Sequence, residues 1–217
     1  MRFEYELSLI KNKEINSIVK EALEKAPEGV WDRPASSTMK YHPLNENGGI
    51  ETVYQHTQRV VAMAATLLSN PVCVGEADNG GLSEEDRDIL IASAILHDSC
   101  KYGLDDPANE KYTKFEHPIL VSQLLPSDNG GYWDRIGKTV ASHSGSWNTS
   151  KYSDVELPLP KTLAEKLLHE ADYLASRKNI QIYSCKNRSL FARLREAVAG
   201  WWTDRKISRK RKPKQQK

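Results

Sequence analysis

The chain has 217 residues, 39% of them hydrophobic and 28% charged, enough apolar side chains for one sizeable core without disulfides or structural metals. No apolar run approaches the roughly 18 residues needed to cross a bilayer, and Glu4 and Glu6 stand where a secretion signal would turn from basic to apolar. The expectation is a cytoplasmic protein without a membrane span. The net charge of +2 hides an asymmetry: residues 205–217 hold eight Lys or Arg and no acid, which leaves residues 1–204 at about −6. Cys73, Cys100 and Cys185 are too few and too far apart for a disulfide framework or a zinc knuckle, so reduced thiols are expected.

In chain order, apolar residues at helical spacing predict a first helix over about 14–26, ended by Pro27 and Gly29. The next 20 residues, 30–49, have no clear period, and a connection of that length is expected to cover a site or tie down an edge. A long striped helix follows Gly48 and Gly49 and stops near Asn70 and Pro71. Ser83, three residues before Asp86, opens a helix that ends at His97 and Asp98. Shorter helices are expected over about 117–125 and 132–142, and Thr162 with Glu165 caps one running to about Lys178. A last helix over about 189–202 breaks into the basic tail. IQIYS at 180–184 is β-branched, but five residues settle nothing. The fold class is all-α, with about seven helices. The division expected is an N-terminal helical segment over 1–29, a main domain over 30–204 and a disordered basic tail over 205–217.

Only six histidines occur, and His56, His97, His117 and His143 fall within or beside predicted helices. Imidazole and carboxylate are ligands for zinc, iron or manganese. Asp98 directly follows His97 at the end of the apolar run ILIASAIL, where a carboxylate is costly unless paired or metal-bound. His169, Asp172 and Glu165 share one helix face.

The ordered series of His56 in YQHTQRV, His97 and Asp98 in ILHDSCKYG, and Asp172 in HEADYLASRK resembles the HD-domain superfamily of metal-dependent phosphohydrolases. PASSTMKYHP and GGIETVYQHT precede the series, and the resemblance covers about residues 30–178. It implies an α-helical bundle, with His117 in FEHP and His143 in ASHSGSW as the further histidines of members that bind two metals. Asp98 would then bridge two divalent cations, one held by His56, His97 and Asp172, the other by His117 and His143. Mn, Ni, Co, Fe or Zn suits these ligands, and Mg is a further option. Two such ions about 3.5 to 4 Å apart clamp the attacking and leaving oxygens of a phosphoryl group and supply the hydroxide.

Lys101 fills the lysine of the family pattern HDxxK, which implies a grip on substrate phosphate. Arg59, one turn after His56, is either a second phosphate group or a salt-bridge partner of a neighbouring acid. Trp147 offers a face for stacking on a base, as do Tyr102 and Tyr112, although a packing role gives the same sequence. His169 and Glu165 are expected to orient ligands, and the role of His42 in KYHP stays open. Cys100 reads as a small buried thiol.

The reading that follows is a phosphohydrolase with Asp98 and Lys101 at its centre, acting on a nucleotide or single-stranded nucleic acid. The tail offers a non-specific polyanion contact, and a homodimer is compatible. A di-iron oxygenase uses the same ligand series, and a regulatory nucleic-acid-binding protein on an inactive scaffold is the non-enzymatic alternative.

Overall fold

The computed structural model describes residues 2–37, 42, 48–75, 81–105, 108 and 110–180. The expected helix at 189–202, the segment IQIYS past Ile180, and the basic tail lie outside the described residues. Among the described residues there are eight α-helices and no strand. They are α1 (Glu4–Ser8), α2 (Lys13–Lys25), α3 (Val53–Leu68), α4 (Pro71–Val74), α5 (Glu84–Leu96), α6 (His117–Leu120), α7 (Tyr132–Ala141) and α8 (Leu163–Ala175). None is long and apolar enough to cross a membrane.

Six of these helices sit where periodicity placed them, and two are additional. Helix α1 has only five residues, too few to show a period. Helix α4 starts where Pro71 was read as a stop: the Asn70 side chain accepts the Val72 N–H at 3.0 Å, and proline suits a first helical position because its missing N–H has no helical partner there. Helix α6 is shorter than expected and passes into a 3-10 turn at Val121–Gln123. Pro126 follows closely and disfavours helical backbone at the residue before it.

Helix α5 organises the bundle. Every residue from Asp88 to Leu96 is buried, so the helix is apolar all round and has α1, α2, α3, α7 and α8 as neighbours. The two acidic capping boxes hold: Ser83 with Asp86 starts α5, and Thr162 with Glu165 starts α8. Helix α3 turns Val53, His56, Thr57, Val60, Val61 and Ala64 inward, a spacing of three and four that puts one histidine in an otherwise apolar stripe. Helix α8 lies along α3 and buries Ala164, Leu167, Leu168, Ala171 and Ala175. The buried Asp88 carboxylate accepts the N–H groups of Lys11 (3.1 Å) and Asn12 (2.6 Å), which fixes the α1–α2 junction against α5.

The aperiodic segment after α2 is anchored at both ends. Its backbone returns to the start of α3 through Ala35 N–H to Glu51 O (2.8 Å) and Val53 N–H to Arg33 O (2.8 Å). The Tyr102 hydroxyl donates to Pro34 O at 2.7 Å, and the Arg33 guanidinium lies 4.7 Å above that ring. Tyr102 is therefore a buried structural ring and not a stacking face for substrate.

Candidate metal centre

Six side chains from five segments converge. His56 comes from the buried stripe of α3, His97 and Asp98 from the C-terminal end of α5, and His117 from the start of α6. His143 comes from the turn after α7, and Asp172 from α8. They form two groups of three, His56 with His97 and Asp172, and Asp98 with His117 and His143, in each of which the ligand atoms lie within 4.8 Å of one another. His56 Nε2 is 2.9 Å and His97 Nε2 3.9 Å from Asp172 Oδ1. Asp98 reaches both groups: its Oδ2 lies 3.3 Å from His97 Nε2 and 3.8 Å from His56 Nε2, and its Oδ1 lies 3.1 Å from His117 Nε2 and 4.0 Å from His143 Nε2.

Hydrogen bonding determines which nitrogen faces inward in three of the four imidazoles. The Nδ1–H of His97 donates to Ala94 O (2.9 Å), that of His117 to Lys114 O (2.7 Å) and that of His143 to Val140 O (2.8 Å), each carbonyl three residues back. A neutral ring with its proton on Nδ1 presents a lone pair at Nε2. His117 Nε2 and His143 Nε2 then face each other at 3.3 Å, two lone pairs with no hydrogen between them. Among the described residues, His97 Nε2 and Asp98 Oδ1 are likewise buried without a hydrogen-bond partner. Buried lone pairs turned on one another are unfavourable unless a cation lies among them, so this donor set fits divalent metal ions.

The electrostatics agree. Burial pushes the His143 imidazole down to about 3 and also lowers His56, keeping both rings neutral, as metal ligation requires. Burial alone would raise the carboxyl of Asp98, yet the adjoining His97 and the ammonium of Lys101 hold it well below the usual carboxylate range. Asp172 is likewise held low, against its burial, chiefly by the bond from His56. His97 runs the other way: burial would lower it, and the neighbouring carboxylates of Asp98 and Asp172 outweigh that.

A cavity of about 360 Å³ opens onto the cluster between His42, Lys101, His117, His143, Asp172 and the outer residues Trp147, Tyr173 and Arg177. Lys101 Nζ is 2.6 Å from Asp98 Oδ2, and against its burial the two carboxylates keep it protonated. Arg59 is placed differently from its expected phosphate role. Its Nε is 3.3 Å from Glu51 Oε1, its Nη2 donates to Ile180 O at 3.2 Å, and it does not line the cavity, so the salt-bridge alternative describes it. Tyr112 is an exposed ring beside Lys111, away from the cavity lining. Glu165 does not orient a ligand, because its carboxylate accepts the Lys161 and Thr162 N–H groups at the α8 start. His169 Nδ1–H donates to His143 O at 2.8 Å, which ties α8 to the turn carrying that candidate ligand.

The sequence reading missed Glu51. Its buried carboxylate accepts His42 Nδ1–H at 2.8 Å, lies 3.8 Å from His56 Nδ1 and pairs with Arg59, so it backs the candidate ligand His56 and fixes His42 at the cavity. It sits in GGIET, immediately before the N-cap Thr52 of α3, a place with no signal of its own. Tyr173 and Arg177 were missed as well.

The sequence matches the HD domain over residues 53–177, more than half of the chain. The chain belongs to the HD-domain superfamily of metal-dependent phosphohydrolases. No curated protein and no solved structure matches it.

Proposed function

We propose that this protein hydrolyses a phosphoester of a nucleotide or of an oligonucleotide end, with two divalent cations held by His56, His97 and Asp172 and by His117 and His143, and Asp98 shared between them. The observation that carries the reading is the pair of inward lone pairs on His117 and His143 beside an Asp98 carboxylate that reaches both groups. Bound there, the metals supply Lewis acidity toward phosphoryl oxygens and lower the pKa of water. The chain's own residues do the rest. Lys101 places a protonated amine at the cavity, where a substrate phosphate meets it, and Asp98 remains ionised while buried. The Nδ1–H bonds to Ala94, Lys114 and Val140 hold three imidazoles in the tautomer and orientation that ligation needs. Lys101 favours hydrolysis over oxygenase chemistry, since a fixed cation beside the bridging carboxylate serves an anionic substrate.

The test is a panel of nucleoside mono-, di- and triphosphates, cyclic dinucleotides and short single-stranded RNA with Mn²⁺, Ni²⁺, Co²⁺ or Mg²⁺, scored by phosphate or mononucleotide release. Turnover on at least one member, abolished by Asp98→Asn, is the expected result. No turnover at full metal occupancy counts against hydrolysis. Stoichiometric iron with oxygen consumption assigns the centre to a di-iron oxygenase instead.

A further inference from the structure

Tyr173 directly follows the ligand Asp172 on α8, and Arg177 comes one turn later. Tyr173 meets Trp147, and all three residues line the cavity. The Tyr173 and Trp147 rings are stacked, with centroids 5.6 Å apart and planes 15° from parallel. The Arg177 guanidinium lies 4.1 Å from the Tyr173 centroid, held by Nε–H to Tyr173 O (3.3 Å) and Nη2–H to Ser176 Oγ (3.1 Å). Behind the stack, the His169 ring lies 5.8 Å from Trp147 and presses on Gly145, where a Cβ would come within 2.2 Å of the imidazole. Gly145 also has φ +57°, so the turn that carries both His143 and Trp147 is fixed by a residue that nothing larger replaces without strain.

Ordinary packing would bury these rings, yet Trp147 is 56% and Tyr173 39% exposed, and both line the same cavity as Lys101 and Asp172. We propose that Trp147, with Tyr173 and Arg177 behind it, is the subsite for an unpaired nucleobase of the substrate whose phosphate lies at the metal centre; this rests on the hydrolase reading above. Three observations converge on that ligand. A preordered, part-exposed indole face suits a flat π system, and it costs little to use because its supports are already in place. The Arg177 guanidinium, 4.1 Å from the Tyr173 centroid and lining the same cavity, adds a positive charge beside the rings, which suits an anionic nucleotide. A cavity of about 360 Å³ is at the small end of ligand sites, room for one nucleotide and not for a duplex. Because every base has a π face, the subsite is tolerant of base identity.

Aromatic faces also hold sugars, so the test separates base from ribose. The probes are the phosphonate analogues of the four ribonucleoside 5′-monophosphates, with CH2 in place of the bridging oxygen so that no phosphoester is cleaved, and the same analogue of ribose 5-phosphate. Binding to the metal-loaded full chain is measured by calorimetry for wild type, Trp147→Ala and Trp147→Phe, with thermal melting as the folding control. The nucleoside analogues should bind at least about tenfold more tightly than the ribose analogue, with little difference among bases. That ratio should collapse in Trp147→Ala and return in Trp147→Phe. Equal binding of ribose and nucleoside analogues, or a ratio unmoved by Trp147→Ala, overturns the subsite even if phosphoesters are hydrolysed. A Trp147-dependent ratio without turnover on any phosphoester keeps the subsite and removes the hydrolase reading.

Discussion

The two sides of the cavity are built on different principles. On the inner side, three candidate ligand histidines are oriented by the carbonyl three residues before each of them, so short-range backbone geometry aims the ring. On the outer side, Trp147 meets the turn of Tyr173 and Arg177 from a separate segment only after folding, and these side chains remain part-exposed. The inner wall fixes the chemistry and tolerates no polar change, because each buried group balances another. The outer wall contributes shape and stacking, which a related ring can replace.

The largest effect expected from breaking the inner wall is at Asp98. Asp98→Ala removes the one carboxylate that reaches both ligand groups, and should lower any turnover by roughly 10³-fold or more with loss of bound metal; elemental analysis of the purified variant beside its kinetics checks both. Next comes Gly145→Ala, which strikes the seam between the walls. Its Cβ would drive into the His169 ring, so the bond from His169 to His143 O is lost and metal affinity should fall about 10- to 100-fold. A second change, His169→Ala, removes the clash, so the double variant should be less impaired than the sum of the two. Additive losses would show that Gly145 acts through its left-handed backbone alone.

Glu51→Gln is the milder probe of the inner wall. It keeps the shape but removes the charge behind His56 and beside Arg59, and metal affinity should fall about tenfold, measured by competition with a chromogenic chelator.

What the sequence disclosed divides along the same line. The candidate ligands were legible because their order in the chain resembles the HD-domain series and because Asp98 stands at the end of an apolar run, while α3, α7 and α8 were legible from their apolar stripes and α5 from its capping box and apolar run. Glu51 was not legible, since its role arises when the segment after α2 folds back on the start of α3. Arg59 was expected at a phosphate from its spacing to His56, but three residues along a helix also turn a side chain, and Glu51 waits on that side. Glu165 shares a face with His169 in sequence, but helix capping takes its carboxylate first. Tyr173 and Arg177 acquire meaning only from Trp147, which reaches them from another segment.

Acid should loosen the inner wall before the outer one. In the metal-free protein His143 is held at about 3 against an unfolded value of 6.5, and His56 is shifted the same way. Between those values the unfolded chain takes up a proton that the folded chain refuses, so this stability is complete above pH 6.5 and is lost as pH falls toward 3. His97 is raised and contributes in the opposite sense, stabilising below its unfolded value and losing that as pH rises, which softens the trend without reversing two rings. The melting temperature of chelator-treated protein should therefore drop, on the order of 5 °C, from pH 7.5 to pH 5. A flat or rising profile would mean that the buried imidazoles are already charged.

The central claim is that one carboxylate joins two three-residue metal groups. Native mass spectrometry of the protein equilibrated with Mn²⁺ tests it most directly, in wild type and in His117→Ala. The account predicts two ions per wild-type chain and one in His117→Ala, since the group of His56, His97 and Asp172 survives that change. A wild-type chain that holds no ion, or a variant that holds as many as wild type, would contradict it.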